Sequence, residues 1–420
     1  MVRKVAVLVV IVVVAVVSFF VFYHPPMRLM PPPLLLQTGN LSLFEAAPAP
    51  DTGTRLQVFY ATNRVPIGTR DSRIYTVVPD QRLHIGRMVM RIGDETSTLD
   101  QIIEWSRGTG GSDRPFIHLE LASEYATLRS NDFGEDAQGV RKWLSEIDAA
   151  LERSRAKEII IYVHGANTTV ERAAGQASQL RHFSRRNAVV VLFAWPTAEN
   201  FLRYSRDIFN AFASAPHLAQ LVAILAENST AESIGVFTYS AGATVGSEGL
   251  ALIGRDKPEI ARRIGEVYHA APDADFRDFI DDLAIYETYA RRVTVAANLG
   301  DSALRLSQAI NRASRAGRPD LAELSPEAAE FLLEATVDRR LELLHVTPDT
   351  MPQLSATSHT FWYDDPWVSN DVLLTVLFHL SPVERELTDN KQQAGKRYWT
   401  FPADYPDRIV AVQYDRKPVQ

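Results

Sequence analysis

Between Ser233 and Leu250 an apolar run breaks at Ser240 into small residues, Ala241, Gly242 and Ala243, with Gly246 and Gly249 following. A strand that turns this sharply into a helix lifts a serine hydroxyl out of the fold and aims it at the helix N-terminus, where unpaired N–H groups stabilise developing negative charge. Such a serine becomes a nucleophile when a base removes its proton. The polar loop Ser355-Ala-Thr-Ser-His359-Thr supplies a candidate, an imidazole able to take the serine proton and return it to a leaving group. A carboxylate must orient that imidazole and stabilise its cation. Asp301, in a Gly-Asp turn after the run Arg292–Ala297, is the expected acid; Asp273 and Asp275, one strand earlier, are the alternatives.

A second turn completes the chemistry. Ile159-Ile-Ile-Tyr-Val-His164-Gly165-Ala166-Asn167-Thr168 reads as a buried strand running into His-Gly and a helix start. With a serine nucleophile at the strand-to-helix turn, the loop after this strand donates one N–H to the oxyanion and the residue after the nucleophile donates the other. Ala166 and Ala241 are the assignments, with Asn167 as the alternative in the first loop. Each donor contributes roughly 3 kcal/mol to the transition state. His164, Asn167, Trp195 and Tyr239 are candidate pocket residues. For His164 the competing reading is a loop-shaping hydrogen bond, and for Trp195-Pro196 it is core packing and a strand stop. The chain has no cysteine and no His-Glu-x-x-His spacing, so neither a metal nor a cofactor is expected.

These loops need a rigid frame. From about Leu56 onward, short β-branched runs alternate with longer amphipathic stretches, the pattern of a sheet covered by crossover helices. Strands are expected at 56–61, 84–90, 158–163, 188–194, 233–237, 266–270, 292–297 and 341–347. Several are apolar at successive positions, as strands buried on both faces are. The fold class is therefore α/β, with a mostly parallel central sheet and helices on both faces. Residues 304–340, rich in Ala, Arg, Glu and Leu, form a candidate helical cap insertion. Asp364-Asp365 is expected to cap a helix beginning near Pro366. The Gly-Thr-Gly-Gly run at 108–111 lacks the Lys-Ser/Thr of a phosphate loop and reads as a surface loop.

At 420 residues, with 46% apolar and 23% charged side chains, the chain is long enough and balanced enough to bury a large core. Its net charge of -7 argues against a nucleic-acid partner, which needs a dense basic face. Val5 to Tyr23 is uncharged and apolar, follows Arg3 and Lys4, and is long enough to span a bilayer. It reads as an uncleaved transmembrane anchor (1–24) and less as a signal peptide, because His24-Pro25-Pro26 follows where small residues would mark cleavage. The positive-inside rule then exports the rest, to the periplasm in a Gram-negative cell. A Pro-rich linker (25–54) leads to one domain over 55–420.

The motifs Phe59-Tyr60-Ala61-Thr62-Asn63-Arg64, His164-Gly165-Ala166-Asn167-Thr168, Phe193-Ala194-Trp195-Pro196-Thr197, the Ser240 turn, Ala271-Pro272-Asp273, Asp301-Ser302-Ala303-Leu304 and Ser358-His359 resemble, in this order, those of the α/β-hydrolase superfamily. Within it they are similar to a bacterial esterase/lipase-like family of unassigned function. The resemblance covers about residues 57 to 362 and implies a serine hydrolase acting on a small-molecule or lipid acyl ester through Ser240, Asp301 and His359. An acyltransferase using the same triad, or a non-catalytic exported binding module, are the alternatives. The family usually carries a histidine before the nucleophile, a methionine after it and an aromatic in the His-Gly loop. Here these positions hold Tyr239, Ala241 and Ala166, and Thr238 occupies a place where Gly or Ala is commoner.

Overall fold

In the apolar run Glu158–Val163, Ile159, Ile161 and Val163 enter one core while Ile160 and Tyr162 enter another. That two-sided burial is what a strand at the centre of a helix-covered sheet requires. The computed structural model describes residues 27–37, 53–108, 114–129, 134–154, 156–337, 340–391 and 397–411. The expected anchor and most of the expected linker lie outside the described residues.

The strands are β1 (Met27–Arg28), β2 (Arg55–Thr69), β3 (Ser72–Ile92), β4 (Phe116–Leu128), β5 (Glu158–Val163), β6 (Val189–Phe193), β7 (Ser233–Tyr239), β8 (Ile264–Ala270), β9 (Arg292–Ala297), β10 (Leu341–His345), β11 (Thr388–Lys391) and β12 (Arg397–Thr400). They form one sheet in the order β1-β4-β3-β2-β6-β5-β7-β8-β9-β10-β12-β11. Pairing is parallel from β2 through to β12, while β1, β3 and β11 join antiparallel. The eight expected strands all occur. β4, the two-residue β1 and the pair β11–β12 were not expected.

The longer helices are α1 (Ala137–Arg153), α2 (Val170–Phe183), α3 (Tyr204–Asn228), α4 (Gly242–Asp256), α5 (Phe276–Tyr286), α6 (Ser302–Asn311), α7 (Pro326–Val337) and α8 (Pro366–Val376). Helix α8 begins as expected: Asp365 accepts from the amides of Trp367 and Val368 at 2.8 and 3.3 Å. The stretch 304–340 divides into two parts. Helix α7 packs against β10, β12 and α5 as an ordinary crossover helix, whereas α6 is tied to the start of α3 through Ser307 Oγ, 2.7 Å from Tyr204 Oη. Residues Phe201–Asn228 are long and apolar enough to cross a membrane, yet 56% of their most apolar window is buried in the fold. Their inner side is core, packed on α4.

Candidate active site

The parallel strands end at one edge of the sheet, and the loops leaving that edge carry the chemistry. β7 stops at Tyr239, α4 starts at Gly242, and Ser240 between them holds a left-handed φ of 53°. For a side chain with a Cβ that conformation costs on the order of 1–3 kcal/mol. The turn has close neighbours that accept it: a Cβ on Gly242 would lie 2.5 Å from the His164 carbonyl oxygen, and one on Gly165 would lie 2.9 Å from the Ser240 Cβ. The carbonyl of Ser240 accepts from the Asp273 amide at 3.0 Å, which ties the turn to the end of β8.

His359 reaches Ser240 from the loop after β10. Its Nε2 lies 2.8 Å from Ser240 Oγ, and its Nδ1 lies 2.6 Å from Asp301 Oδ2. Asp301 is fully buried and has two tasks. Its other oxygen, Oδ1, accepts the amides of Ala303 and Leu304 at 2.8 and 3.0 Å, so the same carboxylate caps α6 and holds the imidazole. Asn298, at the end of β9, donates its side-chain amide to the carbonyls of Ala356 and Ser358 at 3.3 and 2.9 Å, stapling the histidine loop to the acid loop.

The alternative acids are elsewhere engaged. Asp273 Oδ1 accepts from Arg315 Nε at 2.7 Å and from Ser307 Oγ at 2.6 Å, and Oδ2 accepts from the Tyr204 hydroxyl. Asp275 caps α5 through the Arg277 amide. Neither carboxylate is hydrogen-bonded to His359.

In the loop after β5, the Asn167 amide donates to Asp207 Oδ2 at 2.9 Å, which removes it as a free oxyanion donor. The amides of Ala166 and Ala241 have no acceptor among the described residues. His164 and Trp195 do not line an open pocket; both are fully buried. Their rings stack at 5.4 Å, and Trp195 Nε1 donates to the His164 carbonyl at 2.7 Å. Burial, with the Arg64 charge adding to it, lowers the His164 pKa to about 3, so the ring is neutral and donates Nδ1–H to the Gly165 carbonyl at 2.8 Å. Tyr239 does adjoin the site, with its ring 5.3 Å from that of His359.

Two residues that the sequence did not single out individually, Arg64 and Asp207, fix the oxyanion loop. A bulge in β2 around Thr62 and Arg64 re-aims Arg64 inward. Its fully buried guanidinium donates to the carbonyls of Trp195 (3.0 Å) and Thr168 (3.1 Å), to Thr197 Oγ1 (3.1 Å) and to Glu199 (2.8 Å). Asp207 accepts from Asn167 and, at 2.6 Å, from Ala198. Thr238 is also accommodated. Gly246, about one turn into the serine turn's helix, leaves room for its methyl, and Thr238 Oγ1 lies 2.7 Å from His269 Nδ1.

Residues 140–346 match a family described as "Alpha/beta hydrolase of unknown function (DUF900)". The match covers just under half of the chain and agrees with its α/β-hydrolase fold, a mostly parallel sheet with helices on both faces. Among solved structures, this hydrolase-fold chain is similar to a predicted CIB-like hydrolase from Thermoplasma acidophilum, at 13% identity and a TM-score of 0.30, covering 54% of this chain and 88% of that one. It is also similar to the carboxylesterase CesB (YbfK) from Bacillus subtilis, at 11% identity and a TM-score of 0.26, covering 82% and 96% respectively. No curated protein matches the chain.

Proposed function

We propose that this α/β hydrolase is a serine esterase that works through an acyl-Ser240 intermediate. The observation that carries the reading is the unbroken hydrogen-bond chain Ser240 Oγ, His359 Nε2, His359 Nδ1, Asp301 Oδ2. Ser240 Oγ attacks the ester carbonyl carbon while its proton passes to His359 Nε2. The resulting oxyanion takes hydrogen bonds from the Ala166 and Ala241 amides. Collapse breaks the bond to the alcohol oxygen, which leaves with the proton from His359. Water then repeats the sequence on the acyl-enzyme, giving the acid and free Ser240. Asp301 holds the imidazole in the tautomer that presents a bare Nε2 to the serine.

The choice of an ester over other acyl bonds rests on the fold's general usage. Anchoring by residues 5–23, with the hydrolase domain outside the cytoplasm, belongs to the same proposal and rests on the sequence; a periplasmic reporter fused after Tyr23 that stays inactive refutes it. The catalytic reading is tested with a fluorophosphonate probe and a series of acyl esters of graded chain length. Wild type is expected to label and turn over, and Ser240→Ala to do neither. Equal labelling of both removes Ser240 as nucleophile, and no labelling of wild type leaves a non-catalytic module.

A further inference from the structure

The outer face of α3 at its N-terminal end is apolar. Leu202, in the 3-10 turn Phe201–Arg203 that leads into α3, and Phe209, within α3, are 73% and 76% exposed, and Phe209 lies about one turn from the exposed Arg206. Helix α6 presents the exposed Leu306 and Ile310, again one helical turn apart. Isolated exposed apolar side chains are ordinary, but a contiguous set marks an interaction surface. The two helices are joined beneath this surface: Tyr204 Oη and Ser307 Oγ lie 2.7 Å apart, and both bond to Asp273. The surface is also tied to the Ser240 site. Asp207, next to Arg206, holds the oxyanion loop, and Asp301, which caps α6, holds His359.

Charge identifies the occupant. In a chain of net charge -7, residues 201–217 and 299–312 carry four exposed arginines, Arg203, Arg206, Arg305 and Arg312, and their only acids, Asp207 and Asp301, are fully buried. None of the four arginines is in an ion pair among the described residues. We propose that this face seats on an anionic lipid surface and so holds the Ser240 site beside the bilayer. Exposed Leu and Phe enter the acyl boundary while arginines meet the headgroups, each contributing on the order of 1 kcal/mol. A symmetric pairing of two copies through the same face opposes the arginines of one to those of the other. The inference concerns docking and stands without the hydrolase reading.

The chain has no cysteine, so a single label can report on the face. Ser205→Cys, carrying an environment-sensitive nitrobenzoxadiazole, is placed in the full Ser240→Ala chain and reconstituted with vesicles of phosphatidylcholine alone or mixed with phosphatidylglycerol. The control label replaces Glu95, whose side chain is 90% exposed beyond the opposite end of β3. The expected result is a blue-shifted, several-fold brighter emission at position 205 on the anionic vesicles, with position 95 unchanged. Arg206→Glu with Arg305→Glu is expected to weaken that response at least about tenfold, and Leu202→Asp with Phe209→Asp to abolish it. An unshifted label on both vesicles, or equal shifts with and without phosphatidylglycerol, overturns the proposal. A lipid-independent shift that grows with protein concentration assigns the face to a second copy instead, which also overturns it.

Discussion

Asp301 and Asp273 make opposite predictions when each is replaced by Asn. Asp301 Oδ1 caps α6 and Oδ2 faces His359 Nδ1. An Asn at 301 keeps a carbonyl oxygen for the cap, so the stability loss is expected to stay within about 1 kcal/mol. Its NH2, turned to His359, can only donate; it forces the proton onto Nε2 and leaves Ser240 with no base. A wrong-tautomer histidine costs about 10⁴-fold in rate, or about 5.5 kcal/mol of barrier. Asp273 sits in a buried ion pair with Arg315, whose side chain is 3% exposed. Removing that charge leaves the buried guanidinium only the longer contact to Asp275 at 4.0 Å and is expected to cost about 3 kcal/mol of stability. Acylation per folded molecule should then remain within severalfold, because Asp273 touches neither His359 nor Ser240 Oγ. Urea midpoints and second-order rates of fluorophosphonate labelling measure the two quantities. A stable Asp273→Asn that fails to label, or an Asp301→Asn that labels at the wild-type rate, refutes the assignment of the acid.

Four further outcomes are expected. Arg64→Met removes the donors to Trp195, Thr168 and Thr197 and should lower the acylation rate about 100-fold with a smaller change in KM, because oxyanion-loop placement is lost; a stability loss with unchanged acylation of the folded fraction contradicts this. Gly242→Ala would press a Cβ to 2.5 Å from the His164 carbonyl and 2.6 Å from that of Val163, so acylation should collapse, as the labelling rate will show. Thr238→Ala, although it restores a smaller residue at the turn, leaves His269 Nδ1 without its partner and should cost about 1–3 kcal/mol in denaturant titration. Burial lowers the pKa values of His164 and His269 to about 3, below those of the unfolded chain. Protons therefore bind the unfolded state preferentially below about pH 6.5, and stability should fall by about 1.4 kcal/mol per pH unit per histidine as pH drops toward 3; a flat urea midpoint from pH 7 to 5 sinks this.

The central strands were legible because burial on both faces writes itself as an unbroken apolar run, as in Val189–Phe193. β4 was not, because it is half exposed, carries His118 and Glu120 at partly exposed positions and buries a charged residue, Glu124, in line with Ala122 and Ala126. β2 and β3 extend well past their apolar segments into polar arms at Thr69 and Ser72. At the site, Ser240, His359 and Asp301 could be read from turn composition and chain order. The support for the oxyanion loop could not: Arg64 finds Glu199 135 residues away, and Asn167 finds Asp207 40 residues away, with no periodicity to announce either pair. For Trp195 the sequence offers core packing or a pocket wall; its burial and its stacking under His164 agree with packing and make it the floor of the loop. The departure at Thr238 has no visible answer in the turn itself, because the residue that makes room for it, Gly246, lies within the helix that follows.

The span of the hydrogen-bond chain has a kinetic consequence. His359 is 119 residues from Ser240 and 58 from Asp301, so the base docks only after β8, β9, β10 and the loops between them have found their places. Contacts of such sequence separation form late, since loop closure must precede them. During refolding, reactivity toward a serine probe should therefore lag behind the recovery of helical circular dichroism. The rate of labelling then serves as a clock for completion of the native topology, set by the last segment to arrive.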